Sequence, residues 1–134
     1  NLNRTIFVEL LAQSKLSVTD GGAYDFWVRK FVEIPAAGAI LCARPCAGFD
    51  NMGFVDGENC LVLDDSNFRD KIRSCILQPD LMRNISIKGQ HLILKSHSTP
   101  ARAQQLFRVL QSITKGKYAG SHWHKAEFMI TERD

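Results

Sequence analysis

At 134 residues, with 45% hydrophobic and 23% charged residues, the chain holds one domain's worth of material and can bury roughly two-thirds of its unfolded surface in a single core. That composition excludes collagen-like, coiled-coil and low-complexity chains. The formal charge is only +3, and the 17 basic residues interleave with 14 acidic ones without forming a stripe, which argues against a nucleic-acid partner; no run approaches the roughly 20 apolar residues of a membrane span.

Residues 1 to 13 space Ile6, Leu10 and Leu11 as in a short amphipathic helix, with Asn3 or Thr5 as its cap. Ser14 to Asp20 reads as a strand containing Leu16 and Val18, and Gly21-Gly22 as a tight turn. A helix over 24 to 37 follows, burying Phe26, Val28 or Phe31, and Ile34, distorted by Pro35 and stopped by Gly38. Ala39 to Ala43 is then a buried strand, which completes a strand, helix, strand unit.

Within this unit Asp25 and Glu33 stand eight positions apart, a little over two helical turns, so both acids are expected on one helix face, turned toward a single ligand. A glycine turn at the start of that helix leaves backbone N–H groups aligned with the positive end of the helix dipole, which suits phosphate.

Pro45 to Asn59 is a glycine-rich loop leaving the C-terminal end of a strand, where open α/β sheets place ligands. Cys60 to Leu63 is a second buried strand. Ser66 is the expected cap of a helix carrying Phe68, Ile72, Cys75 and Ile76, and Pro79-Asp80 starts another with Leu81, Ile85 and Leu92 on one face and Gly89 admitting a close neighbour. Ser98-Thr99-Pro100 caps a third, bearing Ala103, Leu106, Phe107, Leu110 and Ile113, so that three successive helices close the domain.

From Lys117 the pattern turns polar and aromatic, an extended tail or a strand packing elsewhere; His122 and His124 read as surface residues, with no third metal ligand nearby in sequence. Cys42, Cys46, Cys60 and Cys75 form no CxxC pair and sit mostly in apolar settings, so they are expected as buried thiols. A zinc site from Cys42, Cys46 and His91 or His97 has irregular spacing. Unpaired cysteines in an α/β pattern suit a reducing, cytoplasmic compartment. The first residue is Asn1 rather than Met, which leaves room for an upstream portion.

Taken in order, Ser14-Lys-Leu16, the Asp25 to Gly38 segment, Gly53-Phe-Val-Asp-Gly-Glu-Asn-Cys-Leu-Val-Leu63 and His97-Ser-Thr-Pro-Ala-Arg102 resemble the C-terminal, donor-binding half of two-Rossmann (GT-B) glycosyltransferases of the group 1 type. The resemblance covers about residues 10 to 113. It implies an α/β fold with a Rossmann-like parallel sheet flanked by helices, a nucleotide-sugar-binding domain over 1–113 that is incomplete on its N-terminal side, and a C-terminal extension over 114–134.

By the same resemblance Glu33 accepts hydrogen bonds from ribose hydroxyls, and Asp25 stands where the family's first glutamate meets the donor sugar. Gly21 and Gly22 make room for the diphosphate, and Arg29 or Lys30 balances its charge. The donor is a nucleoside diphosphate sugar, with no further cofactor and no metal implied. The acceptor is a glycan or another molecule, held by the N-terminal Rossmann lobe, so these 134 residues alone are expected not to turn over. Two alternatives stay open: a non-catalytic nucleotide- or glycan-binding or interaction module on the same half-fold, and a structural role in which Asp25 caps a helix and Glu33 pairs with Arg29.

Overall fold

The computed structural model describes residues 2–133. Helix α1 (Leu2–Gln13) leads into strand β1 (Leu16–Thr19), a single 3-10 turn (Gly22–Tyr24), helix α2 (Lys30–Ala36) and strand β2 (Ile40–Ala43). Strand β3 (Leu61–Val62) follows the long loop, then helices α3 (Phe68–Ile76) and α4 (Pro79–Leu92), a π-helical turn (Ile93–His97), helix α5 (Thr99–Thr114) and strands β4 (Tyr118–His124) and β5 (Glu127–Glu132). Asn3 and Thr5 fall inside α1 rather than capping it. Among the described residues no helix is long and apolar enough to cross a membrane.

The sheet is parallel, in the order β1-β2-β3, with Leu16 opposite Ile40 and Cys42 opposite Leu61. All of β2 is buried, and its alternating side chains supply two cores. Leu41 and Ala43 join Phe31, Ile34, Phe49 and Phe54 on one face, while Ile40 and Cys42 join Leu61, Leu63, Cys75 and Ile85 on the other. A sheet covered on both sides needs apolar residues at every position of its central strand, which is why the run Ile-Leu-Cys-Ala shows no alternation. The result is an α/β fold with a parallel sheet flanked by helices, compatible with part of a Rossmann-like domain.

Helix α2 ends as the Pro-Ala-Ala-Gly sequence requires. Gly38 takes φ +86°, its N–H donates to Pro35 O, and the Ala39 N–H reaches back to Ile34 O, a Schellman closure. Helix α4 crosses this end and satisfies its carbonyls: Ser86 Oγ donates to Gly38 O and Gln90 Nε2 to Ala36 O. Gly89 brings α4 equally close to the loop before β3, because a Cβ there would lie 2.7 Å from Asn59 O.

Four further sequence expectations need correction. The helix expected from residue 24 begins at Lys30. Residues 26 to 28 run without regular structure, since Trp27 is drawn inward to stack on Phe31 and pack at a tilt against Phe54 while Phe26 stays 54% exposed. Ser66 does not cap α3; Asp64 Oδ1 instead accepts from the Ser66 and Asn67 amides, and Ser66 Oγ donates to it. That bonding holds the Asp64 carboxyl below its ordinary range.

Third, α5, the last of the three helices expected to close the domain, does so without burying its apolar stripe. Ser98 Oγ does cap it, but the helix packs on the π-helical turn and on β4 and β5 through Arg102, Gln105 and Ser112, leaving Leu106, Phe107, Leu110 and Ile113 at least half exposed. Ile6, Val8 and Leu10 of α1 are exposed as well. The accessible surface, 9031 Å², accordingly exceeds the roughly 7,100 Å² expected for a compact monomer of this mass. Fourth, the region read as an extended tail or a strand packing elsewhere is, over 118–132, an antiparallel hairpin with His124 opposite Glu127.

Candidate functional site

The segment from Trp27 to Ala37 forms one wall of a cleft of about 790 Å³, and α1 forms the other through Phe7, Val8 and Leu11. The floor is apolar, with Trp27 and Val28. Arg29, Lys30 and Glu33 stand at its polar side because the first turn of α2 brings residues 29, 30 and 33 onto neighbouring positions. Glu33 is half-buried. Its Oε1 accepts a 2.5 Å hydrogen bond from Arg29 Nη2, so the only cation of this trio left without a carboxylate among the described residues is Lys30.

Lys30 also faces a second cleft, of about 470 Å³, at the C-terminal ends of the parallel strands. Thr19 at the end of β1, Asp20 just after it, Arg44 after β2 and Asp64 after β3 line it. Two of its acids are engaged locally, Asp20 with the Gly22 amide and Asp64 with the start of α3. The start of α2 therefore separates an apolar cleft from a charged one.

The remaining sequence candidates lie apart from Glu33. Asp25 ends the 3-10 turn in the left-handed region, at φ +50°, and is exposed. Its carbonyl accepts the Ala47 N–H, and its carboxylate, second to burial itself, pushes the Cys46 thiol up. The two acids thus do not share a helix face: the break at residues 26 to 28 turns Asp25 toward the loop after β2 and leaves Glu33 alone on α2.

Gly21 is buried against that same loop, where a Cβ would meet Cys46 Cβ at 2.9 Å. The Gly22 amide is bonded by Asp20 and the Asp25 and Phe26 amides by the carbonyls of residues 22 and 21. The expected row of free amides at a helix N-terminus is absent here, because the glycine pair opens a 3-10 turn and α2 starts eight residues after Gly22.

Sequence reasoning gave no structural role to a polar cluster on the far side of Trp27. His97 is buried, its Nε2 is 2.8 Å from Met52 O, and Arg102 Nη2 is 3.1 Å from its Nδ1. A guanidinium can only donate, so Nδ1 is the acceptor and Nε2 carries the proton. Burial, with Arg102 beside it, holds the imidazole below its usual range against the opposing pull of Met52 O. The signal in sequence was the His-Ser-Thr-Pro-Ala-Arg string, in which an acceptor ring and a donor fork lie five residues apart.

All four cysteines are buried free thiols. Burial pushes Cys42 and Cys60 up to about 12, which makes them poor nucleophiles. Among the described residues no three His, Cys, Asp or Glu side chains gather as a metal site.

The family described as glycosyl transferase-like matches residues 2–108. The chain belongs to the glycosyl transferase-like family. No curated relative matches it. The matched span contains both clefts, the whole parallel sheet and the His97 to Arg102 cluster, and leaves the β4–β5 hairpin outside. Membership makes this a glycosyltransferase-type domain, in keeping with the resemblance carried by the Asp25 to Gly38 and Gly53 to Leu63 segments.

Proposed function

We propose that this glycosyl transferase-like domain binds the nucleoside diphosphate sugar of a longer glycosyltransferase, with Glu33 as the principal nucleotide contact. One observation carries the reading: Glu33 is a half-buried carboxylate at the mouth of a largely apolar cleft, held by an exposed arginine that can swing away. A carboxylate accepts hydrogen bonds from two vicinal ribose hydroxyls, and the apolar floor suits the flat base. Lys30, without an acidic partner and placed between the two clefts, neutralises diphosphate oxygens.

In this reading the donor is held by Glu33 and Lys30, while Gly21, Gly22 and Asp25 line neither cleft, and the acceptor is held by a second lobe. Transfer then proceeds by attack of an acceptor hydroxyl oxygen on the anomeric carbon as the bond from that carbon to the diphosphate oxygen breaks; the hydroxyl proton passes to the departing nucleoside diphosphate, whose developing charge Lys30 stabilises. Turnover requires both lobes, since donor and acceptor must be held together.

Calorimetric titration of the chain with uridine, guanosine and adenosine diphosphates tests the proposal. Losing a charged hydrogen bond costs about 1.5–3 kcal/mol, so Glu33→Ala is expected to bind the preferred nucleotide roughly tenfold to a hundredfold more weakly, and Glu33→Gln less so. Binding by Glu33→Ala as tight as by the parent, with a lowered melting temperature, assigns Glu33 a structural role and ends the proposal.

A further inference from the structure

The β4–β5 hairpin lies beyond the matched family span, yet it is seated on the loop that leaves the C-terminal end of β2. Its two-residue turn, Lys125-Ala126, has φ +46° and +70°, a conformation that two-residue hairpins require and that Gly or Asn usually supplies. Neither is present. Such a turn persists where its surroundings over-determine it, and here the Ala126 N–H donates to Asn51 O at 3.0 Å. Gly53 completes the seat: any Cβ on it would stand 2.4 Å from the Ala126 Cβ.

A second contact fixes the same loop from behind. Trp123 of β4 lies with its ring 4.9 Å from that of His97 and with Arg102 Cζ 4.3 Å over its face. His97 in turn donates to Met52 O and lies 5.9 Å from Trp27. Trp27 stacks on Phe31 of α2 and lines the cleft that contains Glu33. An unbroken series of packed rings therefore joins the hairpin to that cleft.

We propose that the β4–β5 hairpin is a clamp on the 45–59 loop, and that Trp123 is a positioning residue for ligand binding in the Glu33 cleft, acting through His97 and Trp27. The second clause rests on the nucleotide-site reading given above; the first does not. The clamp limits local opening of a segment that has no strand partner over most of its length, and it sets where Trp27 stands relative to Glu33.

Amide hydrogen exchange of the full chain, compared for the parent, Trp123→Ala and Trp123→Phe, tests the clamp. In Trp123→Ala the amides of residues 46–59 are expected to exchange about tenfold faster or more while those of 40–43 are unchanged, the pattern of local rather than global opening. Trp123→Phe, which keeps an aromatic face, is expected to restore protection. Unchanged exchange over 46–59, or an equal rise over 40–43, overturns the clamp.

The positioning role is read by nucleoside diphosphate titration of the same variants. Severalfold weaker binding in Trp123→Ala with rescue in Trp123→Phe supports it, and unaltered binding despite a loosened loop overturns it. A parent that binds no nucleoside diphosphate defeats the nucleotide-site reading and the positioning role together, while the exchange result still decides the clamp.

Discussion

Arg29 Nη2 and Glu33 Oε1 face each other across one turn of α2, the arginine side chain 83% exposed and the glutamate 31%. An ion pair so open to water contributes only about 0.3–0.5 kcal/mol. Arg29→Ala is therefore expected to change the unfolding free energy by no more than roughly 0.5 kcal/mol and to leave nucleotide binding undiminished, because it removes a competitor for Glu33. A tenfold loss of affinity in this variant would make Arg29 a ligand contact in its own right.

Gly89→Ala is expected to destabilise the chain. In an exposed helix interior the same change stabilises by about 1 kcal/mol, but here the new Cβ would lie 2.7 Å from the Asn59 carbonyl oxygen. Asn59 is itself pinned by bonds from the Val55 N–H to its Oδ1 and from its Nδ2 to Gly53 O, so the backbone has little room to yield. Overpacking of this kind costs about 1–3 kcal/mol. Urea unfolding that showed a gain in stability would mean that α4 can shift away from the loop.

Leu106→Glu and Leu110→Glu are expected to be nearly neutral in stability, within roughly 0.5 kcal/mol, since both side chains are at least half exposed. Ile85→Ala, at a site 1% exposed, is expected to lose about 2–5 kcal/mol. If the two leucine variants unfolded at markedly lower urea, the stripe of α5 would have to be packed in solution.

Lowering the pH should weaken the fold through His97. Its imidazole is held below the usual value near 6.5, so the unfolded chain takes up the proton first and stability rises with pH across that interval. The contribution is complete above about pH 6.5 and is lost as the pH falls toward the folded-state value. Melting temperatures measured from pH 7.5 downward are expected to decline more steeply for the parent than for His97→Gln; equal slopes would place the titration elsewhere.

Strand β2, the Schellman end at Gly38 and the close approach at Gly89 could be read from residue types because each depends on local chemistry: a doubly covered strand, a left-handed cap, a missing side chain. Residues 26 to 28 could not. Their spacing permits a helix, and it is packing of Trp27 against the distant Phe54 and His97 that draws them out of it. The same break separated Asp25 from Glu33, while Arg29, Lys30 and Glu33 kept their helical spacing and reached one cleft together.

Helix α5 illustrates a different limit. Periodicity identified Leu106, Leu110 and Ile113 as sharing a face, but a shared face carries no information about what lies opposite, and opposite this one lies solvent. The hairpin escaped for want of a turn signal, because Lys125-Ala126 adopts positive φ without glycine or asparagine.

The outward stripe of α5 also governs how the chain responds to temperature. The heat capacity of unfolding grows with the apolar surface newly brought into water, and side chains such as Leu106 and Phe107, already more than half hydrated, add little to it. The increment per residue should fall below the usual 12–15 cal/mol/K or so, giving a flatter stability curve in which folding varies little between cold and physiological temperatures.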